Sequence, residues 1–156
     1  MTDKTPIGIG GFLILPIIGL VITPIKSLLI VLSIHIPILT KENWSRLTTP
    51  GTEDYHPLWA PVLVGELGLN IFFAIFAIIV LILLFKKNRC LPKLIIIFYI
   101  SNLILMGIMF YIANLIPIVA QTPDPESVGE ITRAIIGAAI WVPYFLISKR
   151  VKNTFV

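Results

Sequence analysis

Four long apolar runs fill most of this chain, and no water-facing surface can be built around them. They lie near residues 8–36, 60–85, 93–118 and 128–147. A run of about 18 or more apolar residues is long enough to cross the hydrocarbon of a bilayer as a helix. Helix is the expected form of each, because backbone groups in lipid must pair internally and the runs lack the alternation of barrel strands. Charge agrees: 13% of the residues are charged and 57% hydrophobic, against about 25% charged in a soluble domain. The expected fold is all-α, a four-transmembrane-helix bundle forming a single membrane domain over residues 1–156, with an outer loop at 40–59.

The first run is not expected to be a cleavable signal peptide. Lys4 is balanced by Asp3, and the apolar stretch from Ile7 to Leu39 far exceeds a signal core of about 7–15 residues. The single cysteine, Cys90, has no partner for an intramolecular disulfide and reads as a free thiol.

Loop charge sets the orientation. Lys86, Lys87, Arg89 and Lys93 lie between spans 2 and 3 with no acid among them, and Lys149, Arg150 and Lys152 follow span 4. Asp124 and Glu126 lie between spans 3 and 4, and the first loop mixes Lys41 and Arg46 with Glu42, Glu53 and Asp54. Short loops rich in Lys and Arg stay in the cytoplasm, which puts both termini there. The net charge of +4 is then topological. It offers no basic face for nucleic acid, but its segments attract anionic lipid headgroups. Trp44, Tyr55 and Trp59 near one interface, and Trp141 and Tyr144 near the other, read as headgroup-level anchors.

Ile7 to Leu39 would span about 50 Å as straight helix, more than the hydrocarbon of about 30 Å. Pro16 and Pro24 predict kinks, with the carbonyls of Phe12 and Leu20 left for Thr23 or a neighbouring helix. Pro37 predicts an exit from the helix across Ser33–Pro37. Lys41 to Leu47 reads as a short interfacial helix, and Thr48–Thr52 as a turn. Span 4 starts either with Asp124 as N-cap before Pro125 or with a capping box of Ser127 and Glu130.

Three ionisable residues fall inside the spans. Lys26 lies about 25 Å from the inner end of span 1, Glu66 about 9 Å and Arg133 about 8 Å from the outer ends of spans 2 and 4. An unpaired charge at that depth costs several kcal/mol, so Glu66 is expected to pair with Arg133, with Lys26 close by. Asn70 extends the face of Glu66 toward Ala74 and Ala77, and Gly137, Trp141 and Tyr144 extend that of Arg133. Asn102 and Asn114 are expected to point inward. The simplest role for Lys26, Glu66, Asn70 and Arg133 is to hold the bundle together. Snorkelling of the two cations to the headgroups, or a site for a solute, ion or lipid headgroup, are the other readings.

No catalytic set is evident. His35 and His56 fall at or outside the outer boundary, and Glu53, Asp54 and His56 read as solvated loop residues rather than metal ligands. No serine or cysteine has a base partner in view. Gly8, Gly10 and Gly11 read as close helix packing or a bend, not as a nucleotide loop. No cofactor is expected.

Gly8–Leu20 reads GIGGFLILPIIGL and Trp141–Val156 reads WVPYFLISKRVKNTFV. Together they resemble a bacterial inner-membrane family catalogued as domain of unknown function 2569. Gly10, Gly11 and Phe12 match its N-terminal motif, with Phe where Trp is common. Trp141, Pro143, Tyr144 and Phe145 match its last helix end, and Ser148, Arg150, Val151, Lys152, Thr154 and Phe155 match its tail. The resemblance implies four spans in a bacterial cytoplasmic membrane and brings no activity. Pro143 is expected to bend span 4 near the inner face by freeing the carbonyl of Ala139. Trp141, Tyr144, Lys149, Arg150 and Lys152 are the expected contacts to lipid or partner there.

The expected function is that of a non-enzymatic accessory or scaffold protein, acting through lipid, a membrane-protein partner or its own copies. The alternative is a small transporter or channel subunit with the polar level as its outer vestibule.

Overall fold

The computed structural model describes residues 8–122 and 125–155. Four helices are long and apolar enough to cross a membrane: α1 (Gly11–Ile38), α3 (Trp59–Phe85), α4 (Leu91–Ala113) and α6 (Pro125–Ile147). Shorter helices are α2 (Lys41–Thr48) after α1, α5 (Pro117–Gln121) before α6, and α7 (Lys149–Thr154) after it. No strand occurs among the described residues. The spans expose large aliphatic side chains all round, as helices immersed in lipid do.

The helix α1 runs through both early prolines. Pro16 sits in its first α-turn, where a missing N–H is tolerated, and Pro24 lies inside. The Thr23 hydroxyl donates to the Gly19 carbonyl at 2.9 Å, not to Leu20. The expected exit at Ser33–Pro37 does not happen. Val31–His35 form a π-helical turn and Ile36–Ile38 continue as α-helix. The wider turn absorbs Pro37, which lacks the N–H of an α-helical bond and would press on the carbonyl of Ser33. Ile36 keeps helical geometry (φ −61°, ψ −48°) despite the following proline. His35 is therefore part of the span rather than of its boundary. The end of α1 is sealed by Thr40 and Asn43, whose side chains both donate to the Pro37 carbonyl, at 2.8 and 3.0 Å.

The interfacial helix expected at Lys41–Leu47 is α2. The loop after it is tied down by Arg46 to Asp54 at 3.1 Å, and by the Trp59 indole donating to the Asp54 carbonyl at 3.1 Å. The helix α3 ends in a Schellman-type turn. The Asn88 N–H reaches the Leu83 carbonyl and that of Lys87 the Leu84 carbonyl, both at 3.0 Å. Lys87 takes the left-handed conformation there, φ +50°.

Span 3 is shorter than the run of apolar residues. The helix α4 stops at Ala113 instead of reaching residue 118, because Pro117 holds Ile116 extended (φ −82°, ψ 118°). Asn114 does not point inward: its side-chain amide donates to the Phe110 carbonyl at 2.8 Å and the residue is exposed. The helix α6 starts at Pro125, so Ser127 and Glu130 are helical residues rather than a capping box. Asp124 lies outside the described residues.

Packing follows chain order. The helix α1 packs on α3, α3 on α4 and α4 on α6, while α1 and α6 make no extended backbone approach. The buried core is one-sided. Leu13, Leu20, Phe73, Ala77, Val80, Leu84, Leu91, Ile95, Phe98, Phe145, Val151 and Phe155 form one cluster. They come from the first half of α1, the second half of α3, the first half of α4, the end of α6 and the residues after it, so the core fills the half of the bundle nearer the described chain ends. Edge-on rings of Phe73, Phe76 and Phe98 tie α3 to α4, with centroids 5.3–5.7 Å apart. Small residues let the helices close up: Gly65 faces Met109, and Gly137 faces the Tyr99 ring.

Candidate functional site

Polar residues collect in the looser half. Lys26 of α1 and Glu130 of α6, 104 positions apart, form a side-chain ion pair across the seam that the backbones leave open. The pair is partly open, with side-chain exposures of 41% and 24%. Glu66 on α3 lies within electrostatic range of Glu130. The expected pair of Glu66 with Arg133 is absent. Arg133 is exposed and folds its guanidinium over Gly129, one turn back. The cause is helix phase: Glu130, not Arg133, turns toward α1. Asn70 does not bond across helices either, since its amide donates to the backbone carbonyl of Glu66 at 3.0 Å. The charge level thus groups Lys26, Glu130 and Glu66, and leaves Arg133 outside.

His35 is 3% exposed, and neither ring nitrogen has a hydrogen-bond partner. Nothing in the sequence marked it, because Pro37 placed it at the helix exit. In the loop between α2 and α3, Glu53, Asp54, Tyr55, His56 and Trp59 border a shallow cavity of about 230 Å³ against Ile116–Ile118. Asp54 is engaged by Arg46, and the His56 Nδ1 accepts from the Leu58 N–H at 3.3 Å.

The second concentration of polar chemistry is at the opposite end, where the two terminal motifs meet. Phe12 packs on Trp141 and Tyr144, centroids 5.3 and 5.5 Å apart, and Trp141 meets Tyr144 edge-on at 5.8 Å. Trp141 and Tyr144 are thus partners of α1 as well as residues of a helix end. After Ser148 breaks α6, its hydroxyl accepts from the Val151 N–H and α7 begins. Val151, Thr154 and Phe155 are buried, and the Thr154 hydroxyl accepts from the Gly8 N–H at 3.0 Å. Arg150 lies against the glycines. A Cβ on Gly11 would stand 2.7 Å from its Nη1, and one on Gly10 3.3 Å. Gly11 also has φ +58°. The positive φ favours glycine at Gly11, whereas the guanidinium, at the far end of a flexible side chain, has room to shift. Lys149 and Lys152 are exposed and point into the surroundings.

Residues 6–156 match the family described as protein of unknown function (DUF2569). The chain belongs to that family. This DUF2569 protein is 27% identical over 156 residues to the inner membrane protein YdgK of Escherichia coli (strain K12), covering 100% of this chain and 99% of the relative. No solved structure matches it. The relative is named for the inner membrane, and the four spans fit a multi-pass protein of that membrane. In this DUF2569 chain, the residues that carried the family resemblance at the two ends are those that touch: Gly10, Gly11 and Phe12 against Trp141, Tyr144 and Arg150.

Proposed function

We propose that this chain is a non-enzymatic accessory or scaffold protein. It works through contacts with lipid or a membrane partner at the end that carries its termini, and that end faces the cytoplasm. One observation carries the reading. At that end Arg150 lies against Gly10–Gly11, and α7 is anchored by buried Val151, Thr154 and Phe155. Lys86, Lys87, Arg89, Lys93, Lys149 and Lys152 surround it, and the six described acids (Glu42, Glu53, Asp54, Glu66, Glu126, Glu130) all belong to the outer loop or the outer half of the bundle. A basic face suits anionic headgroups or an acidic partner segment.

Native mass spectrometry of the protein extracted in a mild detergent at its natural level tests this. A stoichiometric protein or anionic lipid is the expected finding. A bare chain, or one carrying only a solute, would remove the reading.

A second reading is a small transporter or channel subunit, favoured by the Lys26–Glu130 pair across the open seam. Solute flux into proteoliposomes that disappears in Glu130→Gln, with the fold retained, would replace the first reading by this one.

A further inference from the structure

We propose that Arg150, held on the Gly10–Gly11 backbone, binds the phosphate of an anionic phospholipid of the adjacent leaflet, whose glycerol and upper acyl segment lie against Phe12, Trp141 and Tyr144. The proposal rests on the contact reading above and names the ligand.

The first support is electrostatic. Neither of the two ion pairs among the described residues involves Arg150, and none of the described acids lies at its end of the bundle. A half-buried guanidinium with no carboxylate partner among the described residues can take an anion.

The second support is geometric. The Nη1 corner is pressed on the two glycines, whereas Nη2 stands 3.7 Å from the notional Cβ of Gly11. One corner is packed and the other is further out. A planar guanidinium has N–H groups on two corners, a fork that suits two phosphate oxygens at once. Lys149 and Lys152, exposed beside it, add positive charge without that forked geometry.

The third support is position. Gly11 begins α1 and Ile147 ends α6, so the guanidinium sits where the helices leave the hydrocarbon, at headgroup depth. The aromatic trio belongs to the adjoining ends of the spans, Phe12 following Gly11 and Trp141 and Tyr144 lying in the last turns of α6. Phe12, although packed on two rings, stays 54% exposed. An acyl chain can lie on that face and along the seam between α1 and α6. A free phosphate would use the fork but not the rings, and an acidic peptide would approach from water rather than along the seam.

The test is titration of purified protein in detergent with phosphatidylglycerol, with phosphatidylcholine and with inorganic phosphate, read as bound species by native mass spectrometry. Wild type is expected to hold one phosphatidylglycerol in preference to phosphatidylcholine. Arg150→Gln is expected to lower its affinity about tenfold, the weight of a charge-assisted hydrogen bond. Arg150→Lys, which keeps the charge and loses the fork, should recover only part of it. If Arg150→Gln fails to fold, Arg150→Lys decides the matter: unchanged preference for phosphatidylglycerol in it would overturn the role of the fork. Lys149→Gln with Lys152→Gln should change binding by less than Arg150→Gln does. If that double variant abolishes lipid binding while Arg150→Gln retains it, this proposal falls and the contact reading stands. If wild type holds no anionic lipid, or only inorganic phosphate competes for the site, the lipid assignment is overturned. Recovery of an acidic protein segment lost in Arg150→Gln would overturn it in favour of a peptide.

Discussion

The ammonium of Lys26 and the carboxylate of Glu130 join the first and last membrane helices, where the two backbones do not pack on each other. Removing one partner leaves the other charged and unpaired inside the bilayer. Glu130→Gln is therefore expected to destabilise the protein by about 1–3 kcal/mol, and Lys26→Gln by a similar amount. The double variant should cost less than the sum of the two, as contacting residues do. Arg133→Gln, at an exposed position, should stay within about 0.5 kcal/mol of wild type. Denaturant unfolding in micelles measures all four. Equal losses for Glu130→Gln and Arg133→Gln would refute the pairing.

Gly11→Ala should destabilise the fold by more than Gly10→Ala. Alanine at φ +58° costs about 1–2 kcal/mol by itself, and its methyl would meet the guanidinium of Arg150 at 2.7 Å. Gly19, on the same helix, has open space and helical geometry. Gly19→Ala should gain up to about 1 kcal/mol. Melting temperatures of the three variants give the order, and a harmless Gly11→Ala would rule out the packed cradle.

Lys87 holds a left-handed conformation that glycine adopts without strain. Lys87→Gly should stabilise by about 1 kcal/mol. Topology should hold, because Lys86, Arg89 and Lys93 remain in the same loop. Unfolding and cysteine accessibility at Cys90, which is exposed, would report stability and sidedness separately.

His35 is buried with both nitrogens unsatisfied. An unpaired buried polar group costs about 1–3 kcal/mol, so His35→Leu should be neutral or stabilising. A large loss of stability would show that the imidazole makes an interaction essential to the fold.

The four spans were legible because about 20 residues of helix must cross the hydrocarbon, whatever they pack against. Span ends were less so. Pro117 ended α4 early through its effect on Ile116, whereas Pro37 failed to end α1 because a π-turn absorbed it. The charge level was legible as a depth but not as a direction. Of the two starts read for span 4, the capping box made Glu130 a terminal residue, and the start at Pro125 is the one adopted. Begun at Pro125, the helix carries Glu130 further in, with its side chain toward Lys26. Each terminal motif read by itself as an anchor. That they touch depends on tertiary packing, although an even number of spans already places Gly11 and Arg150 on one side.

The unpacked seam between α1 and α6 also has a mechanical meaning. Each of the other neighbouring spans shares an interlocked surface, so parting them breaks many contacts together. Between α1 and α6 themselves the contacts are the ion pair midway and one group of rings at the end, where the last residues of the chain also meet Gly8–Gly11. The α3–α4 pair is thus a spine and the seam a free edge. Along this line the bundle is held by few side chains, and the Lys26–Glu130 pair bridges it midway.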